Sequence, residues 1–400
     1  MWSALNRFLP DAGWPPVSAW RRCLDGRQED RARFIRLATL IAIATAIILG
    51  IAPAQAQIKI GVAGALTGQN QFIGEQQQTG VQKAVDYINA NGGVLGQQLL
   101  VTSVDDGCDP KQAEAAALQL VSERVIFVVG GVCSHASIPA SKIYQAAGII
   151  NISPAATNPK FTDEGGPGIF RVIGRDDQQG TIAGDYLADN YAKSRTAIVN
   201  DGQIYGLGLA QQTKKQLNKR GVTEVMFESY VPSQPDYAQL VTKLVSAKAD
   251  VLYVGGYEAD IGIIIRQARQ RLPDLQLISG DSLATNDFLI VAGKAGEGAH
   301  FTFGPDIRLK PEAAAVVAAF TADGYDPGGY TLYAYAAVQA WAQAVKKTGS
   351  VKSADIIDTL HKGKFETVLG SIGFDEKGDV TGVTNFVWYV MGKDSFAPVK

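Results

Sequence analysis

The sequence predicts an α/β protein made of two doubly wound parallel-sheet lobes. Three observations predict it. Short apolar runs alternate with longer amphipathic ones, as repeated strand-helix units require. The alternation stops once, in the glycine- and charge-rich stretch "GGPGIFRVIGRDDQQG" (165–180), and then restarts. And 400 residues, 46% of them hydrophobic, are enough for two cores.

Each element has its own justification. "IKIGV", Ile58 to Val62, is a short, mostly apolar run that reads as a strand. Val81, Ala84, Val85 and Ile88 then recur at helical spacing until "NANGG" stops the helix. "QLLVTSV" is the second strand, and Asp109-Pro110 supplies an N-cap and a first-turn proline for a helix to about Val121. "VIFVVGG" is the third strand, a helix lies around Pro139 to Ala147, and "GIINIS" is the fourth strand. Beyond the break, "TAIVN", "TEVMFESY", "DVLYVGG" and "LQLISG" are strands separated by helical segments.

The first 56 residues read as a signal peptide with a long leader. Arg31, Arg33 and Arg36 precede an apolar run from Leu37 to Ile51, and "APAQAQ" offers small residues for cleavage after Ala56. That run is shorter than the roughly 20 residues of a membrane span, so no membrane insertion is expected after cleavage. Export leaves Cys108 and Cys133, an even pair in an oxidising compartment, where one disulfide worth about 3 kcal/mol is the default. A metal site recruiting His135 beside Cys133 falls short of four ligands, and no cofactor is expected. A formal net charge of −2 gives no electrostatic footprint for nucleic acid.

In open α/β sheets ligands bind beyond the carboxyl ends of the strands. The residues there are "CSHAS", "PAAT", "DGQIYG", "YEAD" and "DS": hydroxyls, aromatics and a carboxylate, a set suited to a small zwitterion. Ser134 and Ser137 read equally as helix caps or as part of an anion site at a helix N-terminus. Thr157 could be a plain loop hydroxyl, Tyr205 and Tyr257 packing residues, and Asp281 a cap for the next helix. The run Gly280-Asp281-Ser282-Leu283 also matches a hydrolase motif, with Ser282 as nucleophile and Asp358 and His361 as its partners. Those two lie in an apparent amphipathic helix, and the motif falls late in the chain.

The segments "DDGCDPKQA", "GGVCSHASIPAS", "ISPAATNP", "NDGQIYGLGLA", "GGYEADIGIIIRQAR" and "FDEKGDVTG" resemble the leucine/isoleucine/valine-binding protein family, from Ile58 to about Gly382. The resemblance implies the type I periplasmic binding protein fold, with three hinge crossovers near Gly174–Asp176, Gly304–Asp306 and Gly382–Asn385. Lobe 1 would then comprise 57–175 plus 305–383, and lobe 2 would comprise 176–304 plus 384–400. It pairs Cys108 with Cys133. It places Ser134 and Thr157, with backbone amides at Ala156, on a ligand's α-carboxylate, and the Ala155 carbonyl and Asp281 on its α-ammonium. Tyr205 and Tyr257 become aromatics of the second lobe.

Two departures bear on the ligand. Asp281 stands where the amino-acid binders usually carry glutamate, which brings the ammonium nearer that lobe or reaches it through water. Where the family has an aromatic in the first loop this chain has Ile73, beside Phe72 and Gln71, and the segment around Tyr330 is one residue shorter. The implied function is a periplasmic receptor that closes on a small α-amino acid and passes it to an ABC transporter permease. No G-x-x-x-x-G-K-[ST] is present, so the ATPase would be a separate chain. A sensory module of the same fold, binding an amide or an aromatic or carboxylic acid, is the alternative.

Overall fold

The computed structural model describes residues 57–399 except 286, 384 and 385. The signal-peptide reading of 1–56, and the half of the third crossover at 384–385, lie outside the described residues.

Five strands, β1 (Ile58–Gly64), β2 (Leu99–Asp105), β3 (Phe127–Gly130), β4 (Ile150–Ser153) and β5 (Ile169–Arg171), form a wholly parallel sheet in the order β2-β1-β3-β4-β5. Helices α1 (Gln71–Ala90), α2 (Pro110–Ser122), α3 (Ser134–Ala146) and the short α4 (Lys160–Asp163) connect them. The second sheet has seven strands. Its parallel part is β6 (Thr196–Asn200), β7 (Met226–Ser229), β8 (Val251–Gly255), β9 (Gln276–Ser279) and β10 (His300–Phe303). Helices α5 (Asp176–Tyr191), α6 (Ile204–Lys219), α7 (Ala238–Ser246), α8 (Glu258–Ala268) and α9 (Asp287–Ala292) accompany it.

The chain then returns to the first lobe through α10 (Ala314–Ala322), α11 (Thr331–Thr348) and α12 (Ser353–Lys362) and a small antiparallel sheet, β11 (Phe365–Thr367), β12 (Gly370–Phe374) and β13 (Val380–Thr381). It comes back to the second sheet as β14 (Val387–Met391) and β15 (Phe396–Pro398), so that the seven-strand order is β15-β14-β10-β9-β8-β6-β7. β14 is antiparallel to β10, and β15 pairs outside it as the edge strand.

The local chemistry follows the sequence closely at several points. Asp109 caps α2, accepting from the Gln112 amide at 2.9 Å, with Pro110 in the first turn. After α1, Gly92 and Gly93 take φ of 88° and 76°, which a side chain resists. β3 and β8 are buried along their whole length, as strands covered on both faces should be. Trp341 of α11 stacks on Phe127 of β3 with ring centroids 4.7 Å apart and fixes that helix to the first sheet.

Two helix boundaries differ from the sequence reading. α3 begins at Ser134, five residues before Pro139. At the sixth helical position this proline costs the ladder the one bond that its amide would have made to the His135 carbonyl. α1 begins at Gln71, so Ile73 sits in its first turn and not in a loop.

A buried ionic cluster ties the crossovers together. Arg171 at the end of β5 is fully buried and donates from Nε to Asp379 Oδ1 at 2.7 Å, while Arg175 reaches Asp379 Oδ2 at 2.6 Å. Arg171 also donates to the Ala156 and Asn158 carbonyls at 2.7 and 2.9 Å. Two guanidiniums therefore meet at Asp379, just before β13: Arg171, which also holds the loop after β4, and Arg175 of the first crossover.

Candidate functional site

The carboxyl ends of the two parallel sheets face each other. Lobe 1 contributes Ile73 from the first turn of α1, Ser134 from the first turn of α3 and Ala155 from the loop after β4. Lobe 2 contributes Tyr205 after β6, Tyr257 after β8, and Asp281 and Ser282 after β9. Together with Val132 and Tyr330 they line one small cavity. Ser134, Tyr205 and Asp281 are each no more than 3% exposed. The lobes also meet directly: Asn158 Nδ2 donates to the Ile204 carbonyl at 3.0 Å, and Ser233 Oγ to Gln69 Oε1 at 2.9 Å.

Asp281 is the centre of the arrangement. Tyr205 donates to its Oδ1 at 2.8 Å and Tyr330 to its Oδ2 at 2.7 Å. Gly280 makes this approach possible, because a Cβ there would lie 2.5 Å from Leu209 Cδ2 and 3.0 Å from the Tyr205 hydroxyl. Asp281 does not cap a helix by its side chain; the single 3₁₀ turn Asp281–Leu283 has Gly280 at its N-cap.

A second buried acid, Asp176, lies close by, and sequence reading missed it. It opens α5 immediately after the first crossover, with its amide donating to the Thr157 carbonyl at 3.0 Å. Burial pushes its pKa well above the usual carboxylate range, the Asp281 charge pushes it further, and Thr157 and Arg171 ease it. Thr157 Oγ1 lies beside Asp176 without an aligned hydrogen bond. Burial likewise raises Asp281, against the two tyrosine hydroxyls that lower it. The available signal was the acid pair in "GRDDQQG", placed where the chain enters the second lobe.

Other candidates fall as follows. Ser134 Oγ accepts from the Asn158 amide at 3.3 Å, and Ser137 Oγ donates to the Cys133 carbonyl at 2.8 Å, so neither serine caps α3. Ala156 is buried behind the cavity, its amide on Ser153 Oγ at 2.8 Å and its carbonyl on Arg171. Cys108 and Cys133 form a disulfide that joins the loops after β2 and β3. His135 Nε2 bonds the Cys108 carbonyl at 2.6 Å, and no cluster of metal-ligating side chains occurs among the described residues.

The hydrolase constellation is not assembled. Ser282 Oγ donates to the Gly256 carbonyl at 2.7 Å. Asp358 is exposed and pairs with Lys362. His361 spends both ring nitrogens on the Asp375 and Pro167 carbonyls, at 2.9 and 3.0 Å. A larger cavity lies among the crossovers; on its wall Arg175 is paired with Asp379 and Lys377 with Asp163.

Two doubly wound lobes meeting over a buried polar cavity define the class of two-lobed receptors that enclose a small ligand. The periplasmic binding protein family model matches residues 57–394, and the chain belongs to that family. It is 41% identical over 351 residues to the Leu/Ile/Val-binding protein homolog 1 of Brucella melitensis, covering 87% of this chain and 94% of that one. It is 38% identical to the leucine-, isoleucine-, valine-, threonine- and alanine-binding protein of Pseudomonas aeruginosa, over 84% of this chain and 91% of that one. Among solved structures, the branched-chain amino acid transporter substrate-binding protein LivJ of Streptococcus pneumoniae, in complex with isoleucine, superposes with a TM-score of 0.75. It is 27% identical and covers 86% of this chain and all of that chain.

Proposed function

We propose that this protein is the extracytoplasmic receptor of an ABC transporter, binding a small α-amino acid with a branched-chain or other aliphatic-sized side chain between its lobes. The observation that carries the reading is the pair of opposite chemistries across one cavity: the Ser134 hydroxyl on lobe 1, and the Asp281 carboxylate on lobe 2. A zwitterion leaves water favourably only where both charges meet charge-assisted partners. Asp281, with Asp176 behind it, takes the α-ammonium together with the Ala155 carbonyl. Ser134, Thr157 and nearby amides take the α-carboxylate, and Tyr205 and Tyr257 close over the ligand.

Because the cavity lining is buried, a ligand enters only when the lobes part, and it favours the closed state by touching both. Lobe 1 moves as 57–175 with 305–383, lobe 2 as 176–304 with 384–400. Cleavage after Ala56 frees the receptor into the periplasm, where the closed form is delivered to a membrane permease served by a separate ATPase. A thermal-shift screen of residues 57–400 against amino acids, amides and aromatic acids tests the reading. Stabilisation by aliphatic α-amino acids is expected; a response only to uncharged amides or aromatic acids overturns it.

A further inference from the structure

The cavity among the crossovers has a volume of about 480 Å³, within the range of small-molecule sites. Its wall includes Arg175 of the first crossover, Pro305 of the second, and Lys310 and Tyr333 of lobe 1. The carboxylates on this wall are already answered. Arg175 meets Asp379 and Asp177 at 2.6 and 3.0 Å, and Asp375 Oδ1 accepts from the Lys377 and Asp379 amides, each at 2.9 Å.

Two donors on the wall have no such answer. The Lys310 ammonium donates to the Leu369 carbonyl at 2.8 Å and meets no carboxylate among the described residues. Tyr333 is 4% exposed, and its hydroxyl has no hydrogen-bond partner among the described residues. That hydroxyl lies against Gly304, where a Cβ would come within 1.9 Å of it, and the Gly304 carbonyl already accepts from the Tyr389 hydroxyl at 2.8 Å. Much of the remaining wall is apolar, with Val172, Ile307, Val380 and Phe386. A cation and a hydroxyl beside apolar surface suit an anion with an apolar body, whereas a zwitterion would bring an ammonium that finds no unanswered carboxylate.

We propose that this cavity is a second ligand site, which takes a small monocarboxylate with an apolar tail. The carboxylate accepts from Lys310 and Tyr333, and the tail lies on the apolar wall. Because the first and second crossovers both contribute to that wall, an occupant rests on segments that turn as the lobes part. The site goes beyond the amino-acid reading and does not depend on it.

Pentanoate and pentanamide carry the same tail, so the ratio of their affinities isolates the charge. Titration of the mature protein, of Lys310→Met and of Tyr333→Phe, followed by ligand-observed NMR, measures it. Wild type is expected to bind pentanoate at least about tenfold more tightly than pentanamide. Lys310→Met should bring the two probes within about twofold of each other, and Tyr333→Phe should weaken pentanoate about fivefold, the worth of one net hydrogen bond. Both probes meet the same folded fraction, so partial misfolding of a variant does not move the ratio. Neither residue lines the cleft cavity, so these losses place pentanoate among the crossovers. No saturable pentanoate binding to the wild type, or a preference for pentanoate that survives Lys310→Met, overturns the proposal. The amino-acid reading is decided separately, by the thermal-shift screen.

Discussion

Tyr330, at the head of the lobe 1 helix α11, donates its hydroxyl across the cleft to Asp281 of lobe 2, at 2.7 Å to Oδ2 and 3.0 Å to the carbonyl oxygen. The bond that helps hold the lobes shut is thus made to the same carboxylate proposed to hold the ligand's ammonium. Closure and recognition share one residue.

Tyr330→Phe removes that bridge and keeps the ring. A hydrogen bond to a charged group contributes about 1.5–3 kcal/mol, so amino-acid affinity should fall roughly tenfold or more. Small-angle scattering should show a more open ligand-free protein. Unchanged affinity and an unchanged radius would show that the bridge does not govern closure.

Asp281→Asn should weaken amino-acid binding by at least about tenfold while the fold survives, because the amide carbonyl still accepts from a tyrosine. Burial raises both Asp281 and Asp176, and an arriving ammonium requires ionised carboxylates. Binding should therefore release protons, and wild-type affinity should rise with pH above the usual carboxylate range. Calorimetry in buffers of different ionisation enthalpy reads the proton count; no release would count against this pair as the ammonium site.

Ser282→Ala should leave ligand affinity within about twofold and cost roughly 1 kcal/mol of stability, the worth of its bond to the Gly256 carbonyl. A large loss of binding with intact stability would bring Ser282 back as a functional group.

Asp379→Ala leaves Arg171, fully buried, without its carboxylate. Breaking a buried pair from one side costs about 3–5 kcal/mol, measurable by denaturant unfolding. Because Arg171 also holds the Ala156 and Asn158 carbonyls, ligand affinity should fall with stability. A loss under about 1 kcal/mol would mean the cluster is not a brace.

Stability of the ligand-free protein should fall as pH rises between about 4 and 8. Burial raises Asp106 to about 6, Asp201 to about 7 and Glu258 to about 8, so the folded state keeps protons that the unfolded chain has lost. Bound protons in excess in the folded state give a negative slope of unfolding free energy against pH. Glu258→Gln should flatten the upper part of this profile, as followed by thermal midpoint; a profile of the same slope would place the Glu258 proton elsewhere.

Much of the architecture was legible in the sequence. Strands covered on both faces declare themselves as unbroken apolar runs, and the cap at Asp109-Pro110 is a local interaction that needs no tertiary context. Helix starts were less legible: α3 begins five residues before Pro139, a residue that reads as a helix boundary in the sequence. The antiparallel strand β14 pairs with β10, a partner far away in the chain.

By itself the sequence determined that acids, hydroxyls and tyrosines would stand at the carboxyl ends of two parallel sheets, because strand period and sheet topology are local and chiral constraints. Only the tertiary structure decided which of them meet. It turned Ser282 onto the Gly256 carbonyl, kept Asp358 and His361 apart from it, and brought the buried Asp176 beside Asp281. The physical reason is that burial and charge proximity belong to the folded assembly. A carboxyl's chemistry depends on what surrounds it, and residues distant along the chain supply those surroundings.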